Sequence, residues 1–312
     1  MTTMATKIEI VKEEELIEEL REELSPKIEK VEKELKEPVK ETEIKELLIG
    51  GGAGALAYLA GYCHGLVEIV GKEKLKEYEL GCLSAGAIVG LCLHYTVRQD
   101  QFDMRYFYNE WIRKCYEKTN KKYLGWFTSG SLLRECSEKL IKLIEDNGLE
   151  KVDNKVHMAI SVCDGLIPRR RMVSEYKDGK ELGQALESTC GIPYLMNFSF
   201  FNKFQGKRTL DGGFTGQIPN KYTESQKIML NIFPKYATRF PFVWKQPKNI
   251  QYLHITENSG VKFPFDYWIW DENWADEMFL KGILSAKQEQ ANLEQLFGVN
   301  IGEKKEQKNE KK

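Results

Sequence analysis

Apolar positions avoid both ends of the chain, and between them their spacing changes character several times. Leu47 to Ile49 is a short apolar run that enters a glycine cluster, Gly50, Gly51, Gly52, Ala53 and Gly54, and the apolar stretch Leu56 to Ile69 follows at helical length. Strand, glycine loop, helix is the reading that this order supports. The order then repeats. Tyr78 to Leu83 is a second candidate buried strand, Ser84 sits at the turn, and Ala85 to Leu93 opens a second apolar helix. From Phe102 to Asn147 the pattern is helical, with Trp111, Ile112 and Tyr116 and then Leu132, Leu133, Leu140, Ile141 and Ile144 on repeating faces, broken at Tyr123 to Ser129. Val156 to Val162 and Arg169 to Ser174 read as strands on either side of the turn at Asp164-Gly165. Glu181 to Ser188 reads as a short helix ended by Gly191 and Pro193, and Ile283 to Phe297 as a final amphipathic helix. Two strand-loop-helix units in succession predict an α/β domain in which both loops lie at one edge of a parallel sheet.

The ends differ from this middle. Residues 1–43 carry a thin stripe, Leu16, Leu20, Leu24, Ile28, Val31 and Leu35, in a lysine- and glutamate-rich background punctuated by Pro26 and Pro38. That segment reads as a charged helical or disordered extension, or as a helix recruiting a protein partner. The expected organisation is a single α/β domain over 44–260, an aromatic-rich helical segment over 261–301 that packs on it, and a disordered charged tail over 302–312.

Composition narrows the classes. A hydrophobic fraction of 42% suffices for a sizeable core, and a net charge of -1 argues against a nucleic-acid footprint. The seven cysteines, Cys63, Cys82, Cys92, Cys115, Cys136, Cys163 and Cys190, are scattered and never spaced as CxxC, so buried free thiols in a reduced, cytoplasmic setting are expected. The N-terminus has no apolar signal core, and no segment is expected to span a bilayer, although lying on a membrane or lipid-droplet surface stays open.

Candidate chemistry centres on Ser84. A strand that turns sharply into a helix pushes a serine oxygen out of the backbone, and the small residues Ala85 and Gly86 let the helix N-terminus approach without collision. The usual spelling of such an elbow has glycine two residues before the serine, where this chain has Cys82, and a strained backbone there would cost more for cysteine. The glycine cluster, about 32 residues earlier, reads as an anion loop, either for phosphate or for an oxyanion. No terminal Lys and Ser/Thr pair makes it a P-loop. Further along, Asp211 before Gly212 and Gly213 is an aspartate held at a turn after a strand, read either as an Asx-turn or as a catalytic carboxylate. Of the four histidines, His64, His94 and His157 read as packed residues, and His254 follows the aspartate in the order of a Ser-Asp-His triad but is flanked as a core strand. The arginines Arg169, Arg170 and Arg171 read as a solvated face or as an edge toward anionic headgroups. Phe198, Phe200, Phe201 and Phe204, then Phe240 to Trp244 and Phe263 to Trp274, read either as a core lid or as an acyl-chain groove.

With the glycine loop, the serine elbow and the aspartate in this order, the stretch from Leu47 to Pro219 resembles the patatin-like phospholipase domain family, and within it the adiponutrin-like branch of acylglycerol hydrolases. The stretches Met172 to Tyr176, Ala185 to Pro193 and Gly206 to Pro219 match that branch in kind and order. The resemblance implies a three-layer α/β/α fold and a Ser84/Asp211 dyad. It implies an oxyanion loop of Gly50, Gly51, Gly52 and Ala53, supporting roles for Ala85, Gly86, Gly212 and Gly213, and no metal or organic cofactor. Hydrolysis of phospholipid or acylglycerol esters is the implied activity. Cys82, Ala55 and Gln217 depart from the family pattern and keep in view a catalytically impaired lipid-binding scaffold; a transacylase using the same dyad is a second alternative.

Overall fold

Strands buried on both faces read as continuous apolar runs, and such strands form the middle of this molecule. The computed structural model of the chain describes residues 43–120, 129–148, 152–165, 167–192, 199–233, 248–257, 259–262, 266, 269 and 271–299. The stripe of residues 16–35, the 302–312 tail, Phe198, Phe240 to Trp244 and most of the 263–270 aromatic run lie outside the described residues.

In chain order the strands are β1 (Lys45–Ile49), β2 (Tyr78–Cys82), β3 (Val156–Val162), β4 (Arg169–Val173), β5 (Asn202–Phe204), β6 (Lys207–Leu210), β7 (Gln226–Asn231) and β8 (Ile250–His254). The helices are α1 (Leu56–Val70), α2 (Lys72–Leu75), α3 (Ala85–Arg98), α4 (Met104–Phe107), α5 (Arg113–Asn120), α6 (Ser129–Asn147), α7 (Gly179–Thr189), α8 (Glu272–Gln288) and α9 (Gln290–Phe297), with a π turn at Tyr108–Ile112 joining α4 to α5. The result is a mixed α/β fold on one eight-stranded sheet of order β5-β6-β3-β2-β1-β7-β8, with β4 on the other edge of β3. Strands β8, β7, β1, β2 and β3 are parallel, so the loops that follow β1 and β2 leave at the same end, as the repeated strand-loop-helix order predicts. Helices α3 and α7 pack on one face of this sheet, and the segment from Gly212 to Pro219 crosses the other.

Helix α1 is the apolar helix expected at Leu56 to Ile69. Ala53–Val70 is by length and composition apolar enough to cross a membrane, contrary to the expectation that no segment could, and 78% of it is buried inside the protein. Its seam with α8 explains part of that burial. A Cβ on Gly61 would collide with the Phe279 carbonyl oxygen, and one on Gly282 with that of Tyr58, so glycine at both places lets the two backbones touch. Helix α8 also corrects the expected boundary. It begins at Glu272, capped by the Asp271 side chain accepting from Trp274 N at 2.8 Å, and Glu289 separates it from α9.

Two further expectations change. Cys63, Cys82, Cys92, Cys163 and Cys190 are free and buried, but Cys115 is disulfide-bonded. Arg169 and Arg171 are exposed on β4, whereas Arg170 points inward and donates to Ile218 O, so the arginine run is not one solvated face. Strand alternation sends every second side chain to the opposite side, which is why the middle arginine is the half-buried one.

Candidate active site

Two sheet registers bring the serine and the aspartate together. Strand β2 runs parallel to β3 with Cys82 opposite Met158, and β6 runs antiparallel to the same strand with Leu210 opposite Ser161. Both lie on one edge of β3, because β4 occupies the other along Met158 to Val162. Continuing each chain past its last pair puts Ser84 and Asp211 opposite the same residue, Ile160. The two strands meet head-on, and the chain must leave the sheet at both points.

At Ser84 it leaves by a conformation that few side chains accept, φ 51° and ψ -133°. A non-glycine residue there is strained, and it persists only where its surroundings over-determine it. Several neighbours do so. Leu83 N donates to Ile49 O at 3.2 Å, Ser84 N to Thr189 Oγ1 at 3.0 Å, and Ala87 N to Ser84 O at 2.8 Å. Helix α3 then starts so close to the end of β1 that a Cβ on Gly86 would collide with the carbonyls of Ile49 and Gly50. Cys82 lies in regular strand, not at a positive φ, so the backbone strain expected of cysteine at this position does not arise. Its thiol occupies the space where a Cβ on Gly90 would be.

The glycine loop closes in from β1. A Cβ on Gly51 would fall 2.9 Å from Ser84 Cβ and 3.5 Å from Ser84 Oγ, so this backbone borders the hydroxyl. Gly50 is a weaker donor candidate than expected, because its N-H is directed to Leu230 O at 3.5 Å. The amides of Gly51, Gly52 and Ala53 donate to no acceptor among the described residues, and Ala53 takes the left-handed φ of 44°. Ala55 is fully buried in the 3-10 turn that begins α1.

Asp211 is held by its backbone. Its N-H donates to Gly191 O at 3.0 Å, its carbonyl accepts from Ser161 Oγ at 2.8 Å, and its Oδ1 accepts from Gly213 N at 2.7 Å. Ser161 Oγ also lies 2.9 Å from Thr215 Oγ1, which ties the Gly212–Thr215 turn to β3. Burial pushes the carboxyl up from 3.8 to about 6, with the Ser84 hydroxyl and the Gly213 amide pulling it partly back. Yet Oδ2 is buried and accepts no hydrogen bond. Ser84 is thus close enough to act on the carboxylate without making a formed bond. Asp211 thus keeps a buried acceptor open beside Ser84, a residue 8% exposed.

No histidine joins this pair among the described contacts. His157 Nε2 meets Glu79 Oε2 at 2.7 Å, His64 pairs with Glu68 at 3.4 Å, and His254 Nδ1 lies 3.1 Å from Asn231 Nδ2 on the neighbouring strand. His254 is therefore the strand residue its flanks suggest, not the third member of a triad. Gln217 lies beside Gly213, its Nε2 3.1 Å from where a Cβ there would be. Thr189 and Ser161, which hold the serine and the aspartate in place, carry no local sequence signal. They are found only through pairs 105 and 50 residues apart. No protein-family model matches the chain, and no curated protein matches it.

Proposed function

We propose that the chain is a serine acyl hydrolase of patatin-like, three-layer architecture that cleaves ester bonds of glycerolipids. The observation that carries the reading is the meeting of a strained serine elbow and a buried aspartate, its carboxyl raised to about 6, over Ile160, bordered by the Gly51 backbone. Asp211 Oδ2 takes the Ser84 proton as Oγ bonds to the ester carbonyl carbon. The oxygen of that carbonyl becomes an oxyanion met by the loop amides of Gly51, Gly52 and Ala53 and by the N-terminus of α3. The intermediate collapses by breaking its bond to the alcohol oxygen, which receives the proton from Asp211. Water, deprotonated by the same carboxylate, then attacks the acyl-serine, releasing the fatty acid and restoring the hydroxyl.

The lipid class has its own support. A small apolar cavity of about 20 Å³ is lined by Leu56, Ile88, Trp111, Ile112, Leu140 and Leu186 among others. Leu56 and Ile88 stand one helical turn from Ala53 and Ser84, on the faces that carry the loop and the elbow, so an acyl chain would reach this apolar lining only by widening the cavity. Phe214, three residues past Asp211, and Phe200 are large and exposed, which suits work at a lipid surface.

The test is a fluorophosphonate probe with mass-spectrometric mapping, followed by hydrolysis of phospholipid and acylglycerol esters. Labelling confined to Ser84, and loss of turnover in folded Ser84→Ala and Asp211→Asn proteins, is the expected result. An unlabelled protein that still binds lipid vesicles would instead make it a silent scaffold.

A further inference from the structure

Strand β2 bonds to β3 as a parallel ladder, with Leu80 N donating to Lys155 O at 2.8 Å. Such a ladder advances two residues at a time on each strand, so the donors on this edge run Leu80, Cys82, Ser84 and the acceptors Lys155, His157, Ala159. The last of these bonds is replaced. Ser84 N donates to Thr189 Oγ1 at 3.0 Å, and Thr189 Oγ1 donates to Ala159 O at 2.7 Å. A side-chain hydroxyl stands where a ladder hydrogen bond would be. Because it has a single proton, and that proton goes to Ala159, only its lone pair is left to receive the Ser84 amide.

We propose that Thr189 is a positioning residue for the nucleophile: its hydroxyl, wedged between β2 and β3, ends the ladder at Cys82 and holds Ser84 in the elbow conformation. The proposal rests on Ser84 being the nucleophile. Without the wedge, the buried Ser84 amide satisfies itself by closing on Ala159 O. That closure extends β2 by two residues and carries the hydroxyl away from Asp211. It also shuts the gap that Gly212 occupies, where a Cβ would already collide with Ala159 O and lie 3.2 Å from Leu83 Cβ. Two residues on, Gly191 O accepts the Asp211 amide at 3.0 Å. The end of α7 therefore references both members of the dyad, the serine through a side chain and the aspartate through the backbone.

Thr189→Val keeps the shape and removes the hydroxyl, and Thr189→Ser keeps the hydroxyl. With a short p-nitrophenyl ester and fluorophosphonate titration, Thr189→Val should label to full stoichiometry but on the order of 100-fold more slowly, with kcat falling and KM nearly constant. Thr189→Ser should recover most of the rate. Labelling of Thr189→Val at the wild-type rate, whether complete or partial, overturns the proposal, because partial labelling at full rate reports only a misfolded fraction. If the wild-type protein itself takes no label, the hydrolase reading fails, and the crystal structure of Thr189→Val then decides the wedge by itself. Ser84 extended and bonded to Ala159 O supports it; Ser84 unmoved at positive φ overturns it.

Discussion

Glu46 and Glu79 stand at the N-terminal end of the parallel strands and Asp211 at the C-terminal end, and the chain surrounds them differently. Glu46 is fully buried, yet it accepts from Lys221 N at 2.8 Å and from Ser225 Oγ, and Lys227 Nζ lies 3.9 Å away. Burial holds its pKa above the ordinary carboxylate value even so. Burial also raises Glu79, but hydrogen bonds from His157 and Tyr222 more than offset it, and the net shift is downward. Lys227 Nζ is itself satisfied by Ser225 O at 2.7 Å and Thr223 O at 3.1 Å. Of this group only His157 Nδ1 is left without a partner. Asp211, by contrast, keeps one oxygen open and sits beside a residue in a strained conformation. One end of the sheet closes its polar groups into networks, and the other leaves a carboxylate oxygen open near a serine hydroxyl. On the proposed reading, unspent hydrogen-bonding capacity, more than burial, separates the structural carboxylates from Asp211.

The largest effect that would break this contrast is at the Asp211 end. Ser84→Ala and Asp211→Asn should each lower ester turnover by about 10³-fold or more, while thermal melting stays level or, for Asp211→Asn at neutral pH, rises. A clear fall in melting temperature for Asp211→Asn would mean that the aspartate is a structural group after all. At the opposite end the sign reverses. Lys227→Met leaves Glu46 buried without its cation, and breaking a buried pair in this way costs about 3–5 kcal/mol. Urea unfolding should show that loss, with turnover per folded molecule unaltered. The double substitution Glu46→Gln with Lys227→Met should recover much of it, since no unpaired charge remains.

Titration sharpens the contrast further. The Asp211 carboxyl is raised from 3.8 to about 6, so the fold favours its protonated form. Its stabilising contribution is complete below the unfolded value and is lost as pH rises through the folded one. Relative to Asp211→Asn, the wild-type protein should lose about 3 kcal/mol between pH 4 and pH 6 and nothing more above that. Under the proposed mechanism activity moves the other way, because only the ionised carboxylate accepts the serine proton. The ratio kcat/KM should therefore climb through pH of about 6, over the window in which stability falls. Chemical denaturation at several pH values, beside a pH-rate profile, tests both limbs. An acidic limb near 4 would place the base in ordinary solvation.

How far the sequence disclosed these ends depends on the range of the interactions. Apolar runs such as Leu47 to Ile49 and Val156 to Val162 mark buried strands directly, and small residues around a serine mark an elbow, because each is a local requirement of the backbone. The aspartate could be singled out from its glycines, but nothing local says that β6 runs back along β3 to meet β2. That follows from the pairing of Ser161 with Leu210, 49 positions further along the chain. Thr189 is an ordinary helix residue until the register of two strands makes its hydroxyl a substitute for a ladder bond. The start of α8 was hidden for a different reason. Tryptophans crowd the Asp271 cap, so an N-terminal signal sits inside what reads as an aromatic cluster, and the glycine seam to α1 shows only when both helices are placed.

The smallest predicted effect concerns the position where this chain departs from the usual elbow spelling. Cys82 Sγ fills the volume over Gly90, so the cysteine and the glycine are two halves of one packing contact between β2 and α3. Gly90→Ala drives a methyl into the thiol, and overpacking of this kind costs about 1–3 kcal/mol. Cys82→Gly alone opens a void and adds a strand glycine, and should also destabilise. Together the substitutions exchange which partner carries the side chain, so the double variant should be more stable than the sum of the two losses predicts, by about 1 kcal/mol in a double-mutant cycle. Additive losses would show that the thiol and Gly90 do not share that volume. Since Cys82 lies in regular strand two residues before the strained serine, the double variant should also keep its rate of fluorophosphonate labelling. If labelling slowed in step with stability, the elbow would depend on the packing under it as well as on the hydroxyl beside it.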